Sequence, residues 1–283
     1  MTIWVIAYSD GTGASMGAQI KFEGLHNVRD LGGTAVADGL KVSSGKMLRS
    51  DQLADATETD LAKLGELGIG KIIDLRSAVG RDEKPDPDIA GAVNLHLPII
   101  EDVRAGITRD SKSDARIIEM LTRGEDISSS LVDQHMELMY RRFVSDPFAI
   151  AQYTRFVDEI IESAERGEAV LWHCTAGKDR AVFATAIVLE SLGASRDDII
   201  EDYLITNEYL TGVVEHLLAT IGRMLPSDSA RQAARSFFRA DERYLEAAYD
   251  EAATRFGSFE AFCEQALGVD AGKRAHMREL FCC

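Results

Sequence analysis

Cys174 and Arg180 lie in the stretch HCTAGKDR (173–180), and the five residues that separate them suit phosphate chemistry. A cysteine thiolate is a strong nucleophile, and an arginine fork can hold two phosphoryl oxygens at once. Gly177 permits a tight turn that points backbone N–H groups inward. The sequence therefore predicts a loop that binds a phosphate dianion around Cys174. Its phosphate-binding residues are Thr175, Ala176, Gly177, Lys178, Asp179 and Arg180.

This loop needs an element on each side to hold it. EAVLWH (168–173) predicts a short buried strand, and AVFATAIVLESLG (181–193) is apolar nearly all round, which predicts a buried central helix. A helix that begins near Arg180 presents its positive N-terminal end to the loop. Such an environment stabilises both a bound phosphate and a thiolate at Cys174.

Departure of an ester oxygen from phosphorus requires a proton donor, and several aspartates are candidates for it. Asp179 and Asp74 are the leading candidates for this general acid, with Asp30 and Asp51 as alternatives, because geometry decides the acid before its pKa does. Asp30 is equally well interpreted as the residue that pins a turn. His173 is expected to orient the loop by hydrogen bonding rather than to act as a base.

The remaining patterns predict a layered α/β fold. Strands are expected at KMLRS (46–50), KIIDLRS (71–77) and VNLHLPI (93–99). Helices are expected from the capping box at Thr57 and Asp60, and from Asp146-Pro147 to a stop at Gly167. Alternation of strands and helices implies a central, mostly parallel sheet flanked by helices.

Strand signals stop at residue 196, and the rest of the chain reads as helix. We therefore expect a single domain over 1–283, in which 204–250 form a C-terminal helical lid. A short helix is also expected at DARIIEMLTR (114–123) within a polar loop.

Composition restricts the partners of the protein. The chain has 31 Lys and Arg against 47 Asp and Glu, a net charge of −16, which disfavours nucleic acids and anionic membranes. The N-terminal IWVIAY lacks a basic flank and a cleavage pattern, so we expect a cytoplasmic protein without stable membrane insertion. The four cysteines have no CxxC spacing, which argues against a metal site.

The stretch HC..GKDR between a strand and an apolar helix resembles the cysteine-dependent protein tyrosine phosphatase superfamily. Further stretches resemble its bacterial branch of tyrosine and lipid phosphatases: NVRDLGG (27–33), LRSDQL (48–53), DLRS (74–77) and DYLITN (202–207). This resemblance implies a phosphatase-type fold with a two-helix lid. It also implies activity on phosphotyrosine, and in some members on phosphoserine, phosphothreonine or phosphoinositides, without a cofactor.

By the same resemblance, Cys174 is the nucleophile, Arg180 binds phosphate, and Lys178 adds a second cation as in lipid-directed members. The chain departs from the family at Ala181, where a threonine or serine hydroxyl usually faces the cysteine sulfur. Two alternatives therefore stay open: a binding module for phosphorylated ligands that turns over weakly, and an enzyme that has reused the thiolate for other chemistry. The sequence leaves the oligomeric state undetermined.

Overall fold

The protein is described by a computed structural model that covers residues 19–100, 120, 123, 127–222, 225 and 227–283. The N-terminal IWVIAY and most of the helix expected at 114–123 lie outside these residues. No helix in the described part of the chain is long and apolar enough to cross a membrane.

A five-stranded sheet forms the centre of the molecule, in the order β1-β2-β5-β3-β4. The strands are β1 (Arg29–Asp30), β2 (Met47–Ser50), β3 (Ile69–Asp74), β4 (Val93–His96) and β5 (Ala169–His173). Strands β2, β5, β3 and β4 are parallel, and β1 pairs antiparallel with β2. The α/β architecture with a mostly parallel sheet is thus confirmed.

The register aligns the carboxyl ends of the parallel strands. His173 lies level with Ser50 on one side and with Asp74 on the other, and Asp74 lies level with His96. In open parallel sheets, ligands bind outside these carboxyl ends, where the loops that follow the strands converge. The stretch that follows β5 is therefore at the centre of this edge.

Helices cover the sheet and complete the C-terminal half. Their bounds are α1 (Glu58–Glu66), α2 (Ala78–Glu83), α3 (Ser129–Ser145), α4 (Pro147–Glu165), α5 (Arg180–Leu192), α6 (Arg196–Leu204), α7 (Thr206–Tyr209), α8 (Thr211–Gly222), α9 (Asp228–Phe238), α10 (Glu242–Phe256), α11 (Phe259–Gln265) and α12 (Ala271–Phe281).

The local helix signals act as the sequence predicts. Thr57 and Asp60 form the expected capping box of α1, and Asp146 accepts a hydrogen bond from Phe148 N at the start of α4. Strand β3 ends at Asp74 rather than at the predicted residue 77. There the Asp74 carboxylate accepts the backbone N–H of Arg76 at 2.9 Å, which turns the chain.

Helix α5 is the core element of the fold, and its residues from Ala181 to Leu189 are buried throughout. It ends at Gly193, which is left-handed with φ of 90°. Trp172 of β5 donates from its indole nitrogen to Ala181 O at 3.1 Å and to Thr185 Oγ1 at 3.2 Å. The strand before the phosphate-binding loop is thereby fixed to the helix after it.

The segment 204–250, which the sequence predicts as a lid, divides into two parts. Residues 242–250 belong to α10, which buries Tyr244, Leu245 and Ala248 in the main core and packs against α3. A helix buried in that way is part of the domain's body, so the lid prediction applies to the helices that precede it. The candidates for a lid are the two helices α8 and α9.

Candidate active site

The loop Cys174–Asp179 connects the central strand β5 with α5, as the sequence predicts. Cys174 is buried at the base of this loop, with 2 % of its surface exposed. The N-cap position of α5 is Asp179, whose side chain makes no capping hydrogen bond, so the first N–H groups of the helix are not used by a cap. Cys174, the predicted nucleophile, thus sits at the positive end of a core helix.

Both the backbone conformation and the space available require a glycine at position 177. Its φ is 64°, in the left-handed region, and an added Cβ would lie 2.5 Å from Ser50 O and 2.8 Å from Asp51 N. The loop is thus pressed against the end of β2, and no larger residue fits at this position.

Three successive carbonyl groups of the loop accept hydrogen bonds from outside it. Thr175 O accepts from Gln52 N at 3.1 Å, Ala176 O from Asn27 Nδ2 at 2.9 Å, and Gly177 O from Arg49 Nη2 at 2.7 Å. With the carbonyls held outward, the backbone N–H groups of the same peptides are turned toward the inside of the loop. Among the described residues, these inward N–H groups have no hydrogen-bond acceptor. The loop is therefore built to receive an anion.

A buried group of arginines and one aspartate supports the loop, and we call it the arginine cluster (Arg29, Arg49 and Asp202). Arg49 forms an ion pair with Asp202 and also donates to the loop at Gly177 O. Arg29 donates to Asp202 O at 2.8 Å and to Thr206 Oγ1 at 2.6 Å. Burial, and next the charge of Arg49, lower the pKa of Arg29 to about 10. The cluster therefore holds more positive than negative charge beneath the loop.

A second buried group lies beside Cys174, and we call it the histidine cluster (Asp74, Arg76, Asp86 and His173). Arg76 pairs with both Asp74 oxygens, through Nη2 at 2.8 Å and Nε at 2.9 Å, and its Nη2 is 2.9 Å from Asp86 Oδ1. His173 Nε2 is 2.9 Å from Asp86 Oδ2. This arrangement fits the expectation that His173 orients the loop.

The structure places the two leading candidates for the general acid very differently. Asp179 is at the mouth of the loop with its side chain 20 % exposed, whereas Asp74 is 4 % exposed and bound to Arg76. Burial alone would raise the pKa of Asp74, but hydrogen bonds from Arg76 and the charge of His173 outweigh it and hold the pKa below its ordinary value. A carboxyl in that state is a poor proton donor, which favours Asp179.

Asp179 is held in place by two neighbours. Tyr140 Oη donates to Asp179 Oδ1 at 3.0 Å, and Lys178 Nζ lies 3.7 Å from the same oxygen. Burial and then the charge of Asp179 raise the pKa of Tyr140 well above its ordinary value, so the phenol remains a hydrogen-bond donor. Tyr140 is a contact that sequence analysis misses, because it lies 39 residues away on α3.

The alternative aspartates have structural partners. Asp30 accepts from Gly32 N at 2.9 Å and from Gly45 N at 2.6 Å, in agreement with the interpretation that it pins a turn. Asp51 accepts from Asn27 N at 3.1 Å and from His26 N at 3.1 Å. Burial raises the pKa of Asp51, although these backbone hydrogen bonds oppose that rise. Asp30 and Asp51 are both buried, so exposure, rather than pKa, distinguishes Asp179 from them.

Lys178 is used differently from the sequence expectation. Its side chain is 4 % exposed, and its Nζ donates to Phe237 O at 2.8 Å and to Arg239 O at 3.1 Å. These carbonyls lie at the C-terminal end of α9. The lysine therefore joins the phosphate-binding loop to one of the two candidate lid helices.

Arg180 is the remaining cation of the loop, and it is partly exposed. Its Nη2 donates to Thr175 Oγ1 at 3.3 Å, so the first residue of α5 is connected to the start of the loop. A buried cysteine, inward N–H groups and an arginine at the rim are the arrangement expected of a cysteine-dependent phosphatase.

Comparison with known proteins agrees with that class. A model of the tyrosine phosphatase family matches residues 20–282, and the chain belongs to this family. A protein of Cupriavidus necator named as a tyrosine-protein phosphatase is 28 % identical over 261 residues, which cover 91 % of this chain and 87 % of that protein. The triple specificity protein phosphatase PtpB of Mycobacterium tuberculosis is 31 % identical over 212 residues, covering 71 % of this chain and 72 % of PtpB.

The quoted motifs that carry the resemblance converge on one place in the structure. NVRDLGG contributes Asn27 and Arg29, LRSDQL contributes Arg49, and DYLITN contributes Asp202 and Thr206. Each of these residues hydrogen-bonds either to a carbonyl of the loop or to a side chain that does so. Sequence analysis singled out the motifs, but it did not identify Asn27, Arg49 or Asp202 as supports of the phosphate-binding loop.

Proposed function

We propose that the protein hydrolyses phosphomonoesters, phosphotyrosine foremost, through a phosphocysteine intermediate at Cys174. The single observation that carries this proposal is the outward binding of three loop carbonyls, which turns the loop amides toward a site beside the buried sulfur. A tetrahedral dianion fits that arrangement better than a neutral or planar ligand does.

The reaction follows from the positions of the side chains. The Cys174 sulfur attacks phosphorus in line, a sulfur–phosphorus bond forms, and the ester oxygen leaves with a proton from Asp179. Water then attacks phosphorus and gives a proton to the Asp179 carboxylate, the sulfur–phosphorus bond breaks with its electron pair on Cys174 sulfur, and inorganic phosphate is released. Arg180 and the loop amides stabilise the charge that develops on the phosphoryl oxygens. The proposed mechanism needs no metal or cofactor.

Substrate range is a separate part of the proposal. Because PtpB is named a triple specificity phosphatase, we include phosphoserine and phosphothreonine peptides as candidate substrates, and phosphoinositides because Lys178 lies in the loop. In the structure, however, Lys178 is bound to the carbonyls of Phe237 and Arg239. A second substrate phosphate reaches this lysine only if those bonds break.

We also propose that α8 and α9 act as the lid of a single phosphatase domain. Lys178 provides the support for this, since it connects the loop to the end of α9. Hydrogen exchange with and without vanadate tests the lid: protection of 211–238 by the ligand is expected, and equal exchange in both states contradicts it. We expect a reducing, cytoplasmic location, in which Cys174 stays a free thiol.

The decisive experiment for the activity is a substrate panel. Phosphate release from an aryl phosphate, phosphopeptides and phosphoinositides is measured for the wild type and for Cys174→Ser. We expect release by the wild type, none by the variant, and retained binding of phosphopeptide by the variant. Binding without turnover by the wild type would instead support a module for phosphorylated ligands, which the missing hydroxyl at Ala181 favours.

A further inference from the structure

We propose that Asp86 is a positioning residue for Cys174 that acts through His173. The inference rests on the proposed function, because it concerns the state of the nucleophile in that reaction. Asp86 lies in KPDPD, a segment that carries no motif of its own, and it belongs neither to the loop nor to the residues proposed to bind phosphate.

Asp86 bridges two buried side chains, His173 and Arg76. One carboxylate oxygen, Oδ2, is 2.9 Å from His173 Nε2, and the other, Oδ1, is 2.9 Å from Arg76 Nη2. The side chain of His173 is fully buried and that of Asp86 is 7 % exposed. The carboxylate therefore fixes the ring from the side opposite to Cys174.

Both nitrogens of the His173 ring face acceptors. Nε2 faces the Asp86 carboxylate, and Nδ1 is 3.2 Å from the carbonyl oxygen of Cys174. A carbonyl oxygen can only accept, and a carboxylate beside a guanidinium is ionised and also accepts. An imidazole that donates from both nitrogens carries a positive charge.

The charges around the His173 ring also favour an imidazole that is protonated on both nitrogens. Asp74 faces it from β3 with Oδ1 4.0 Å from His173 Nε2, and Arg76 pairs with both carboxylates. His96 of β4 contacts the group at Arg76 O, 2.8 Å from its Nε2. Two carboxylates and one guanidinium leave one negative charge without a partner. Burying an unpaired charge is costly, and a proton on His173 balances it.

A metal ion is the competing explanation for this group of side chains. Asp74, Asp86 and His173 offer ligand atoms that all lie within 4.8 Å of one another. However, the Arg76 guanidinium lies between the two carboxylates and hydrogen-bonds to both. The positive charge of that guanidinium, bound to the same two carboxylates, disfavours a metal cation beside them.

A charge on the His173 ring affects Cys174, the next residue in the sequence. An imidazolium beside Cys174 favours its thiolate over its thiol, and Asp86 keeps that charge in place. Replacing Asp86 by Asn keeps the shape but removes one negative charge. The cluster is then balanced with a neutral ring, so the proton on His173 is no longer needed.

The test measures the state of Cys174 and His173 without relying on turnover. The rate at which iodoacetamide alkylates the peptide that contains Cys174 is followed against pH for the wild type, Asp86→Asn and Asp86→Glu. Asp82→Asn is the matched control, because Asp82 lies four residues earlier with its side chain 67 % exposed. The expected result is a midpoint about one pH unit higher in Asp86→Asn, equal to a tenfold change in thiolate, with the control unchanged and Asp86→Glu between them.

Nitrogen-15 NMR of the wild-type histidine rings, with His173→Gln to assign the signal, gives a measurement that requires no Asp86 variant. Both nitrogens of His173 are expected to carry a proton at neutral pH, and a singly protonated ring would overturn the inference. An unchanged alkylation midpoint in a folded Asp86→Asn protein would overturn it as well. If the wild type releases no phosphate while the alkylation shift is seen, the proposed function fails and the role of Asp86 stands.

Discussion

The two buried ion clusters beside the phosphate-binding loop differ in their charge balance. The arginine cluster sets two guanidinium groups against Asp202 and carries a surplus of positive charge. The histidine cluster has two carboxylates, Asp74 and Asp86, for Arg76 and His173. The first contacts the loop through Gly177 O, whereas the second contacts it through the backbone of the nucleophile itself.

The difference in charge balance indicates that the two clusters support the loop in different ways. Surplus positive charge beneath the amides would attract the proposed phosphate dianion, which matters in a chain whose net charge is −16. Burial, and next the charge of Arg49, lower the pKa of Arg29 to about 10, which is the direction expected when two guanidinium groups are buried side by side. The histidine cluster instead fixes the cysteine's neighbour while keeping its own charges paired.

The largest expected effect comes from Arg49, which serves both the arginine cluster and the loop. Arg49→Met removes one partner of a buried ion pair and releases Gly177 O, so we expect the free energy of unfolding to fall by about 3–5 kcal/mol. Phosphate binding should be lost as well, because the loop carbonyl is free to turn inward. Urea unfolding and calorimetric titration with vanadate measure the two effects.

A milder pair of variants separates these two roles if Arg49→Met does not fold. Arg49→Lys and Arg29→Lys both keep the charge of the cluster, but only Arg49 donates to a loop carbonyl. We expect both to lower stability and Arg49→Lys alone to weaken vanadate binding strongly. Equal loss of binding in both variants would show that charge, and not the contact with Gly177 O, controls the loop.

The second prediction compares Asp179 with Asp74 of the histidine cluster as the proton donor to the leaving group. Asp179→Asn should lower kcat about 10²- to 10⁴-fold for phenyl phosphate, whose leaving group needs protonation, and much less for p-nitrophenyl phosphate. Asp74→Asn should show no such dependence on the leaving group. Steady-state kinetics with both esters distinguish the two. A leaving-group effect in Asp74→Asn would move the general acid to the histidine cluster.

The histidine cluster also shows how far sequence reasoning reaches. The loop, its strand and its helix follow from local patterns, since HCTAGKDR and the apolar run after it lie within 21 consecutive residues, 173–193. Asp86 and Tyr140 carry no local signal, because their partners His173 and Asp179 are 87 and 39 residues away. The contacts of Lys178 with Phe237 and Arg239 depend on how α9 packs against the loop, and no residue pattern near Lys178 encodes that packing.

The third prediction concerns Ala181, which is fully buried at the start of α5. A serine there would offer a hydroxyl to the charged sulfur, an interaction of about 1.5–3 kcal/mol, and adds a single oxygen atom to a packed region. We expect a burst and slow turnover in the wild type, and a kcat raised about tenfold in Ala181→Ser with unchanged substrate capture. Stopped-flow kinetics with an aryl phosphate test this. No burst, together with unchanged kcat in a folded variant, would show that the site releases the sulfur by another route.

The smallest expected effect is the contribution of Asp74 to the pH dependence of stability. Burial tends to raise its pKa, but Arg76 and His173 bring it below the ordinary value of 3.8. A carboxyl whose pKa is lower in the folded than in the unfolded state stabilises the fold above the unfolded value, and this stability disappears as the pH falls through the folded one. The wild type should therefore exceed Asp74→Asn in free energy of unfolding at neutral pH, and the difference should narrow below about pH 4.

Urea unfolding followed by circular dichroism across this range measures that difference, with the exposed Asp82→Asn as the reference for general acid effects. Asp74→Asn retains an amide oxygen that can accept one hydrogen bond from Arg76, so part of the loss is independent of pH. Only the pH-dependent part of the difference in free energy of unfolding measures the ion pair between Asp74 and Arg76. A difference that stays constant into the acid range would mean that Asp74 acts in the histidine cluster through its shape, and that the charge balance there depends on Asp86 alone.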